Sequence, residues 1–117
     1  MALKRTLTAL DPRISSRIGL SIEEIAEFCE KWNIESMDLF GSVLREDFGP
    51  SSDIDVLITY TPGAPRGLLK RVRMKYELED LTNRSVDVIV RKSIEDSENW
   101  IRRREILTTA QNIYAQG

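Results

Sequence analysis

The sequence predicts an α/β (α+β) fold in which a small mixed β-sheet is covered by helices. Two observations lead to this prediction. Short apolar runs rich in β-branched residues alternate with longer segments whose apolar residues recur at helical spacing. The resulting order is helix, strand, helix, strand, helix, strand, helix, with no repeat, low-complexity tract or linker. The 117 residues suffice for one hydrophobic core but not for two. We therefore divide the chain into an N-terminal arm, residues 1–20, and a single domain, residues 21–117.

The N-terminal region changes character at Ser21. Residues 1–20 carry mixed charge and contain a proline and a glycine, which predicts an irregular arm with at most a helical turn. Ser21 and Glu24 have the spacing of a capping box, in which each side chain accepts a hydrogen bond from the other residue's backbone N–H. Apolar residues then recur every three or four positions, so a helix is predicted near 21–32.

Two strands and the turns between them are predicted in the middle of the chain. The first strand covers about 35–40 and ends at the turn Gly41-Ser42. A short helix is predicted over 43–48, and a Gly-Pro-Ser-Ser turn follows it. The second strand covers about 53–60 and ends at a Thr-Pro-Gly turn.

A helix, a strand and a last helix complete the predicted order. Residues 67–82 are rich in good helix formers. Residues 86–90 read Val-Asp-Val-Ile-Val, a β-branched run typical of a strand. The last helix is predicted to begin near Ser93, a suitable cap, and to continue through Tyr114 because apolar residues recur at helical spacing up to that position.

The composition excludes several classes of protein. The chain contains no histidine, which rules out Ser-His-Asp and Cys-His nucleophile systems, a histidine metal site and a histidine general base. The net charge of -2 argues against a general nucleic-acid binder, so nucleic acid is not a directly expected partner. No apolar run approaches the roughly 18–20 residues that span a bilayer, and the N-terminus lacks a signal-peptide stretch. We expect a cytoplasmic protein with no membrane partner.

Two aspartates open the second predicted strand. Because side chains alternate along a strand, Asp53 and Asp55 point to the same side, roughly 6.5–7 Å apart along the backbone. Neighbouring carboxylates repel each other unless a divalent cation lies between them, and hard oxygen ligands suit Mg²⁺. Asp87 lies between valines in the third strand, where a lone carboxylate is costly unless it is paired or metal-bound. Together the three predict a carboxylate cluster that supports metal-dependent phosphate transfer.

The turn Gly41-Ser42 is suited to contact a phosphate. Glycine lets the backbone approach a phosphate closely, and serine offers both an N–H and a hydroxyl. If residues 43–48 are helical, Ser42 lies at a helix N-terminus, where free N–H groups favour an anion. Arg45 can reach the same phosphates with two parallel hydrogen bonds.

Each motif also has a purely structural interpretation. A Gly-Ser pair occurs in ordinary turns, and an Asp-x-Asp pair can be a solvated strand end. Asp87 can form a surface ion pair with Arg84 or Arg91. The combination of these motifs, in this order and on these predicted strands, favours the functional interpretation.

The string Gly41-Ser42, ten residues and then Asp53-x-Asp55 is similar to the signature of the polymerase-β-like nucleotidyltransferase superfamily. Over about residues 21–115 the chain resembles the minimal nucleotidyltransferases (MNT), the antitoxins of HEPN/MNT toxin–antitoxin pairs. The resemblance implies the nucleotidyltransferase fold. It also implies a set of site residues, namely the catalytic and metal-binding Asp53, Asp55 and Asp87 and the nucleotide-binding Gly41, Ser42 and Arg45.

The same resemblance implies a function. ATP would be the donor, Mg²⁺ the cofactor, and a tyrosine hydroxyl of a partner HEPN ribonuclease toxin the acceptor of AMP, within a hetero-oligomer. Two other functions stay open. One is an antitoxin that neutralises its toxin by binding alone, and the other is a small-molecule nucleotidyltransferase of the aminoglycoside type.

Overall fold

The computed structural model describes residues 5–6 and 11–116, so predictions made for residues 1–4, 7–10 and 117 lie outside the described residues. The strands are β1 (Arg5–Thr6), β2 (Ile34–Phe40), β3 (Ile54–Tyr60), β4 (Val86–Val90) and β5 (Gln111–Gln116). The helices are α1 (Pro12–Ile18), α2 (Ile22–Lys31), α3 (Leu68–Thr82), α4 (Arg91–Glu95) and α5 (Trp100–Thr109). A 3₁₀ turn, Gly41–Leu44, follows β2. Within the described ranges, no helix combines the length and the apolar character that crossing a membrane requires.

The strands form one sheet in the order β1-β5-β2-β3-β4. β2 pairs antiparallel with both β3 and β5, and β1 pairs antiparallel with β5. β3 and β4 are parallel, with α3 in the connection between them. The predicted fold class, a small mixed sheet covered by helices, is confirmed.

Helices cover both faces of the sheet. The larger core includes residues from α1, α2 and α3, among them Ile14, Ile25 and Met74. A smaller cluster joins Phe40 and Leu57 of the sheet to one isoleucine of α4 and one of α5. Because neighbouring residues of a strand point to opposite faces, this smaller cluster lies on the face opposite the larger core.

Most of the predicted elements are present. The helices predicted near 21–32 and 67–82 correspond to α2 and α3, and the three predicted strands correspond to β2, β3 and β4. The capping box is formed, because the Glu24 N–H donates to Ser21 Oγ at 3.1 Å and the Ser21 N–H donates to Glu24 Oε1 at 3.0 Å. Asn83, in the left-handed conformation, ends α3.

Residues 12–18 form a helix where the sequence predicts an irregular arm with at most a helical turn. The side chain of Asp11 caps this helix, and Pro12 occupies its first position, where no partner for its missing N–H is needed. Gly19 ends the helix at φ 69°. The two presumed breakers therefore mark the ends of α1, and its isoleucines are buried in the larger core.

The short helix predicted over 43–48 is wrong. The chain forms only the 3₁₀ turn, and Arg45 returns to extended backbone with φ −108° and ψ 161°. The guanidinium of Arg17 donates to the carbonyl oxygens of Val43 at 2.8 Å and Arg45 at 2.7 Å. In an α-helix those carbonyls would accept hydrogen bonds from N–H groups four residues later. A long-range side-chain contact thus replaces the helical hydrogen bonds.

The single last helix predicted from Ser93 to Tyr114 is also wrong. Ser93 lies inside α4, the side chain of Asn99 caps a separate helix α5, and Tyr114 lies in β5. Hydroxyls of two threonines at the end of α5 donate to carbonyls one turn earlier, a contact that weakens helices. The apolar residues that follow fill the larger core beside β2, so burial in the sheet outweighs their helical spacing.

β4 is one of the two edge strands of the sheet, and side chains of α3 cover its beginning. The N–H of Val86 donates to Glu79 Oε2 at 3.0 Å, and Lys75 Nζ donates to the Val86 carbonyl at 2.8 Å. Lys75 also pairs with Glu79 at 2.7 Å. These contacts satisfy backbone groups that an open edge would expose, and they fix the residue directly before Asp87.

Candidate active site

Two of the three predicted carboxylates, those of Asp55 and Asp87, lie on one face of the sheet, and together with the neighbouring Asp53 they are called the carboxylate row below. Asp55 and Asp87 are direct register partners in the parallel pair of β3 and β4. Their side chains therefore project side by side from strands that are spaced about 4.8 Å apart. Asp53 lies two residues before Asp55, just ahead of β3. Asp55 is half-buried, whereas Asp53 and Asp87 are exposed, so this carboxylate row opens to solvent.

The surroundings of Asp55 raise the pKa of its carboxyl group above the ordinary value. Burial is the largest cause, and repulsion from the carboxylates of Asp87 and Asp53 adds to it. The guanidiniums of Arg45 and Arg102 lower the same pKa and only partly offset the rise. Negative charge that is incompletely balanced favours a bound cation.

The carboxylate row is not a preformed metal-binding site. Across residues 5–6 and 11–116, no group of three or more histidine, cysteine, aspartate or glutamate side chains is gathered closely enough to hold an ion. The donor chemistry nevertheless fits Mg²⁺, which is usually held by one or two carboxylates together with water and substrate phosphates. The metal-binding and catalytic roles of Asp53, Asp55 and Asp87 stay predictions.

Neither arginine that was considered as a partner of Asp87 pairs with it. Arg84 donates to two carbonyls of the loop before β3, at 2.9 and 3.3 Å. Arg91 donates to Asp38 Oδ2 at 2.6 Å, and Asn112 donates to the other oxygen of that carboxylate at 2.7 Å. Asp38 is buried, and its register places it on the same face as Asp55. The carboxylate of Asp87 therefore remains exposed beside Asp55.

The turn Gly41-Ser42 closes one end of the carboxylate row. Gly41 has φ 76°, and a Cβ at this position would lie 2.5 Å from Oδ2 of Asp55. The hydroxyl of Ser42 donates to the Asp53 carbonyl at 3.3 Å and ties the turn to the start of β3. Ser42 does not begin an α-helix, so the helix N-terminal anion site predicted there is wrong. The phosphate contacts of Gly41 and Ser42 stay predictions.

Arg45 follows the turn and is exposed. Its Nε donates to Asp47 Oδ1 at 3.3 Å, an exposed pair of the kind that contributes little to stability. The charge of its guanidinium acts on Asp55. Arg45 is thus close enough to the carboxylates for the predicted contact with a nucleotide, which stays a prediction.

Two arginines hold the loop between β2 and β3, Arg17, which the sequence did not single out, and Arg84, which was considered only as a partner of Asp87. Arg17 of α1 bonds the carbonyls at the end of the 3₁₀ turn, and Arg84 bonds the carbonyls later in the loop. Both guanidiniums lie over the ring of Phe48, at 5.7 and 4.2 Å from its centroid. A lone aromatic residue in a polar loop was the only local signal of this contact.

A cleft of about 480 Å³ lies between the 3₁₀ turn and α5. It is lined by Gly41, Leu44, Arg45, Glu105, Thr109 and Gln111. Gly41 connects this cleft to the carboxylate row, because Asp55 lies against it. No motif in the sequence pointed to α5 as part of the site, and its contribution, through Glu105 and Thr109, is seen only in the structure.

Comparison with known protein sequences matches the chain to one family. The model of the nucleotidyltransferase domain family matches residues 22–111. The chain is also similar to proteins of Methanocaldococcus jannaschii named as candidate protein adenylyltransferases. One is 39% identical over 64 residues, covering 55% of this chain and 67% of the relative, and another is 42% identical over 65 residues, covering 56% and 64%.

The fold is similar to that of solved nucleotidyltransferase structures. A candidate minimal nucleotidyltransferase superposes with a TM-score of 0.62 and 25% identity, covering 88% of this chain and 97% of that chain. A toxin–antitoxin structure with AMP-PNP has a TM-score of 0.64 at 15% identity, covering 83% and 75%. A complex of a tri-AMPylated HEPN toxin of Shewanella oneidensis with an MNT antitoxin has a TM-score of 0.56 at 14% identity, covering 81% and 70%.

The family match spans most of the chain and includes the Gly41 turn, the carboxylate row and the cleft beside α5. The solved structures share the mixed sheet with its helices. Enzymes of this class use a nucleotide as substrate, which agrees with a carboxylate row open to solvent beside a glycine turn. The chain belongs to the nucleotidyltransferase domain family.

Proposed function

We propose that this protein is an antitoxin that transfers AMP from ATP to a tyrosine hydroxyl of a HEPN ribonuclease toxin, and thereby inactivates that toxin. The observation that carries the proposal is the register pair of Asp55 and Asp87 beside Gly41. This arrangement puts two carboxylates and a close-approaching backbone turn around one open site, as transfer of a nucleotide requires.

Similar proteins support the choice of donor and acceptor. A toxin–antitoxin structure with this fold contains AMP-PNP, and another contains a tri-AMPylated HEPN toxin with its MNT antitoxin. Relatives about 40% identical are named as candidate protein adenylyltransferases. ATP as donor and a protein as acceptor are the simplest chemistry consistent with all of them. A partner toxin that cleaves RNA would act in the cytoplasm, which supports a cytoplasmic location for the pair.

The residues of the site have separate roles in the proposed reaction. Asp53, Asp55 and Asp87 would hold Mg²⁺, which when bound offsets the charge of the triphosphate. Backbone N–H groups of the turn and the hydroxyl of Ser42 bind phosphate oxygens, and Arg45 adds a cationic contact. Each of these contacts positions the α-phosphorus in front of the acceptor.

The transfer exchanges one bond to phosphorus for another. The acceptor oxygen forms a bond to the α-phosphorus while the bond from that phosphorus to the bridging oxygen of pyrophosphate breaks in line. Asp87, which is exposed, would either bind a second ion or accept the hydroxyl proton as the oxygen attacks. Addition of AMP would bring bulk and negative charge to the toxin beside its RNA-cleaving site.

A mass measurement tests this function. The protein is incubated with ATP, Mg²⁺ and the HEPN-domain protein encoded by the adjacent gene, and the HEPN protein is then weighed. We expect a gain of AMP units that disappears with Asp53→Asn plus Asp55→Asn. Asp80→Asn, an exposed carboxylate on α3, is the matched control and should retain the transfer.

Two outcomes would replace the proposal. Neutralisation of the toxin without any mass gain, and undiminished by the double substitution, would indicate an antitoxin that works by binding alone. Transfer of AMP to an aminoglycoside, with the HEPN protein left unmodified, would indicate a small-molecule nucleotidyltransferase.

A further inference from the structure

Arg102 lies on the face of α5 that is turned toward the carboxylate row and the cleft. It precedes Glu105 by three residues and Ile106 by four, and residues at these separations share one side of a helix. Glu105 lines the cleft beside Gly41, and Ile106 is buried against the sheet. The side chain of Arg102 therefore points between the cleft and the sheet, one turn closer to the N-terminus of α5.

The guanidinium of Arg102 is available for a ligand. Within the described ranges the side chain of Arg102 makes no ion pair or hydrogen bond, and its one hydrogen bond outside the helix is the backbone N–H donated to Asn99 Oδ1 at 3.1 Å. Arg45 lines the same cleft from the side of the 3₁₀ turn. Two guanidiniums thus flank the cleft, one from the turn and one from α5.

The helix that carries Arg102 is held firmly in place. The side chain of Asn99 caps its beginning, and Arg103 donates to the Ser97 carbonyl in the loop before it. Ile106 anchors its middle in the cluster with Phe40. Arg102 therefore lies on a helix that does not need to become ordered when a ligand binds, which lowers the entropy cost of binding.

We infer that Arg102 binds the triphosphate of the nucleotide from the α5 side of the cleft, opposite Arg45, and selects for the number of phosphates. The inference rests on the proposed function, because it assigns a residue to the nucleotide of that same site. A nucleoside triphosphate brings several negative charges next to three carboxylates, so it needs more positive charge than one ion and one arginine supply. A nucleoside monophosphate needs much less.

A binding experiment tests this role separately from transfer. Affinities of the whole protein for AMP-PNP and for AMP are measured by calorimetry in the presence of Mg²⁺. We expect Arg102→Ala to weaken AMP-PNP binding about tenfold or more, since a charge-assisted contact is lost. AMP binding should change less than about threefold. Arg102→Lys, which keeps the charge but loses the two-pronged geometry, should recover part of the loss.

Arg104→Ala is the matched control, because Arg104 is exposed on the side of α5 turned away from Arg102. It should bind both nucleotides like the unchanged protein. Equal losses for AMP-PNP and AMP in Arg102→Ala, or no loss for either, would overturn the inference. If the unchanged protein binds AMP-PNP but does not modify the HEPN protein, the proposed function fails while the role of Arg102 can still be decided. Absence of any nucleotide binding overturns both.

Discussion

Gly41 and Asp55 approach each other so closely that no side chain fits between them. A Cβ on Gly41 would lie 2.5 Å from Oδ2 and 3.4 Å from Cγ of Asp55. The backbone of the turn therefore lies directly against the Asp55 carboxylate. Only glycine at position 41 leaves room for Asp55 in its present position. A glycine in this turn was predicted to let a phosphate approach the backbone, and in the structure it also lets the Asp55 carboxylate approach.

We expect Gly41→Ala to remove most of the transfer activity. The new methyl group displaces the carboxylate of Asp55, and a shift of about 1 Å at a reacting site can cost roughly 100-fold in rate. Gly63→Ala is the control, because Gly63 also has a positive φ, 78°, but an added Cβ there meets nothing within 4 Å. Both variants should lose about 1–2 kcal/mol of stability from the left-handed backbone. Equal transfer rates for the two variants would show that Gly41 is not needed to position Asp55.

Asp55 should make the metal-free protein less stable at neutral pH. Its pKa in the folded protein is raised above the ordinary 3.8, chiefly by burial and then by Asp87 and Asp53. The unfolded chain therefore loses this proton first as the pH rises above about 3.8, and stability falls through that window. At pH 7 in EDTA, we expect Asp55→Asn to need more urea for unfolding than the unchanged protein. The gain in the free energy of unfolding should be less than about 1 kcal/mol, because the carboxyl group is half exposed.

The comparison for Asp55→Asn is made at several pH values. The advantage of the variant should shrink toward pH 3, where the carboxyl group is protonated in both states. An advantage that is the same at pH 3 and pH 7, or a variant that is less stable at pH 7, would show that the charge of Asp55 is not the cause.

Arg17 should be needed both for stability and for the shape of the turn. Arg17→Met removes two hydrogen bonds to carbonyls of the loop but keeps an apolar stem over Phe48. We expect a loss of about 1.5–3 kcal/mol in urea unfolding, because bonds to charged donors are strong. Transfer should fall as well, since the turn that faces Asp55 loses its support. Arg13→Met, on the exposed side of the same helix, should change stability by less than about 0.5 kcal/mol.

The stabilisation of the β4 edge by Lys75 and Glu79 should depend on pH. The Lys75 ammonium, followed by the Val86 N–H, holds the pKa of Glu79 below its ordinary 4.5. This stabilisation is present above about pH 4.5 and is lost as the pH falls through the lowered pKa. We expect Glu79→Gln to cost about 1 kcal/mol at pH 7 and progressively less as the pH falls below about 4.5. Asp80→Asn, one residue along α3, is the control, and an equal effect of the two substitutions would argue against the edge cover.

The elements with local signals were predictable from sequence. Ser21 and Glu24 form the expected capping box, and the β-branched run around Asp87 forms the expected strand. In each case the information lies within a few residues of the feature, so a single sequence contains it.

The features set by distant contacts were not predictable. The helix expected after Ser42 is absent because Arg17, far away in the sequence, takes the carbonyls that it would use. Tyr114 lies in a strand because the sheet offers it a buried position beside β2. Arg102 is one of three consecutive arginines, and only the packing of α5 distinguishes it from its neighbours. Tertiary contacts decide all three.

Metal binding by the carboxylate row, measured with and without nucleotide, tests whether these carboxylates form the reactive site. Because the described residues form no preformed metal site, we predict weak binding of Mn²⁺ alone and much tighter binding in the presence of AMP-PNP. Both affinities are measured by electron paramagnetic resonance titration. Asp55→Asn and Asp87→Asn should each abolish the nucleotide-dependent tightening, whereas Asp80→Asn should not. Tight Mn²⁺ binding that survives both substitutions would show that these carboxylates do not hold the ion together with the nucleotide.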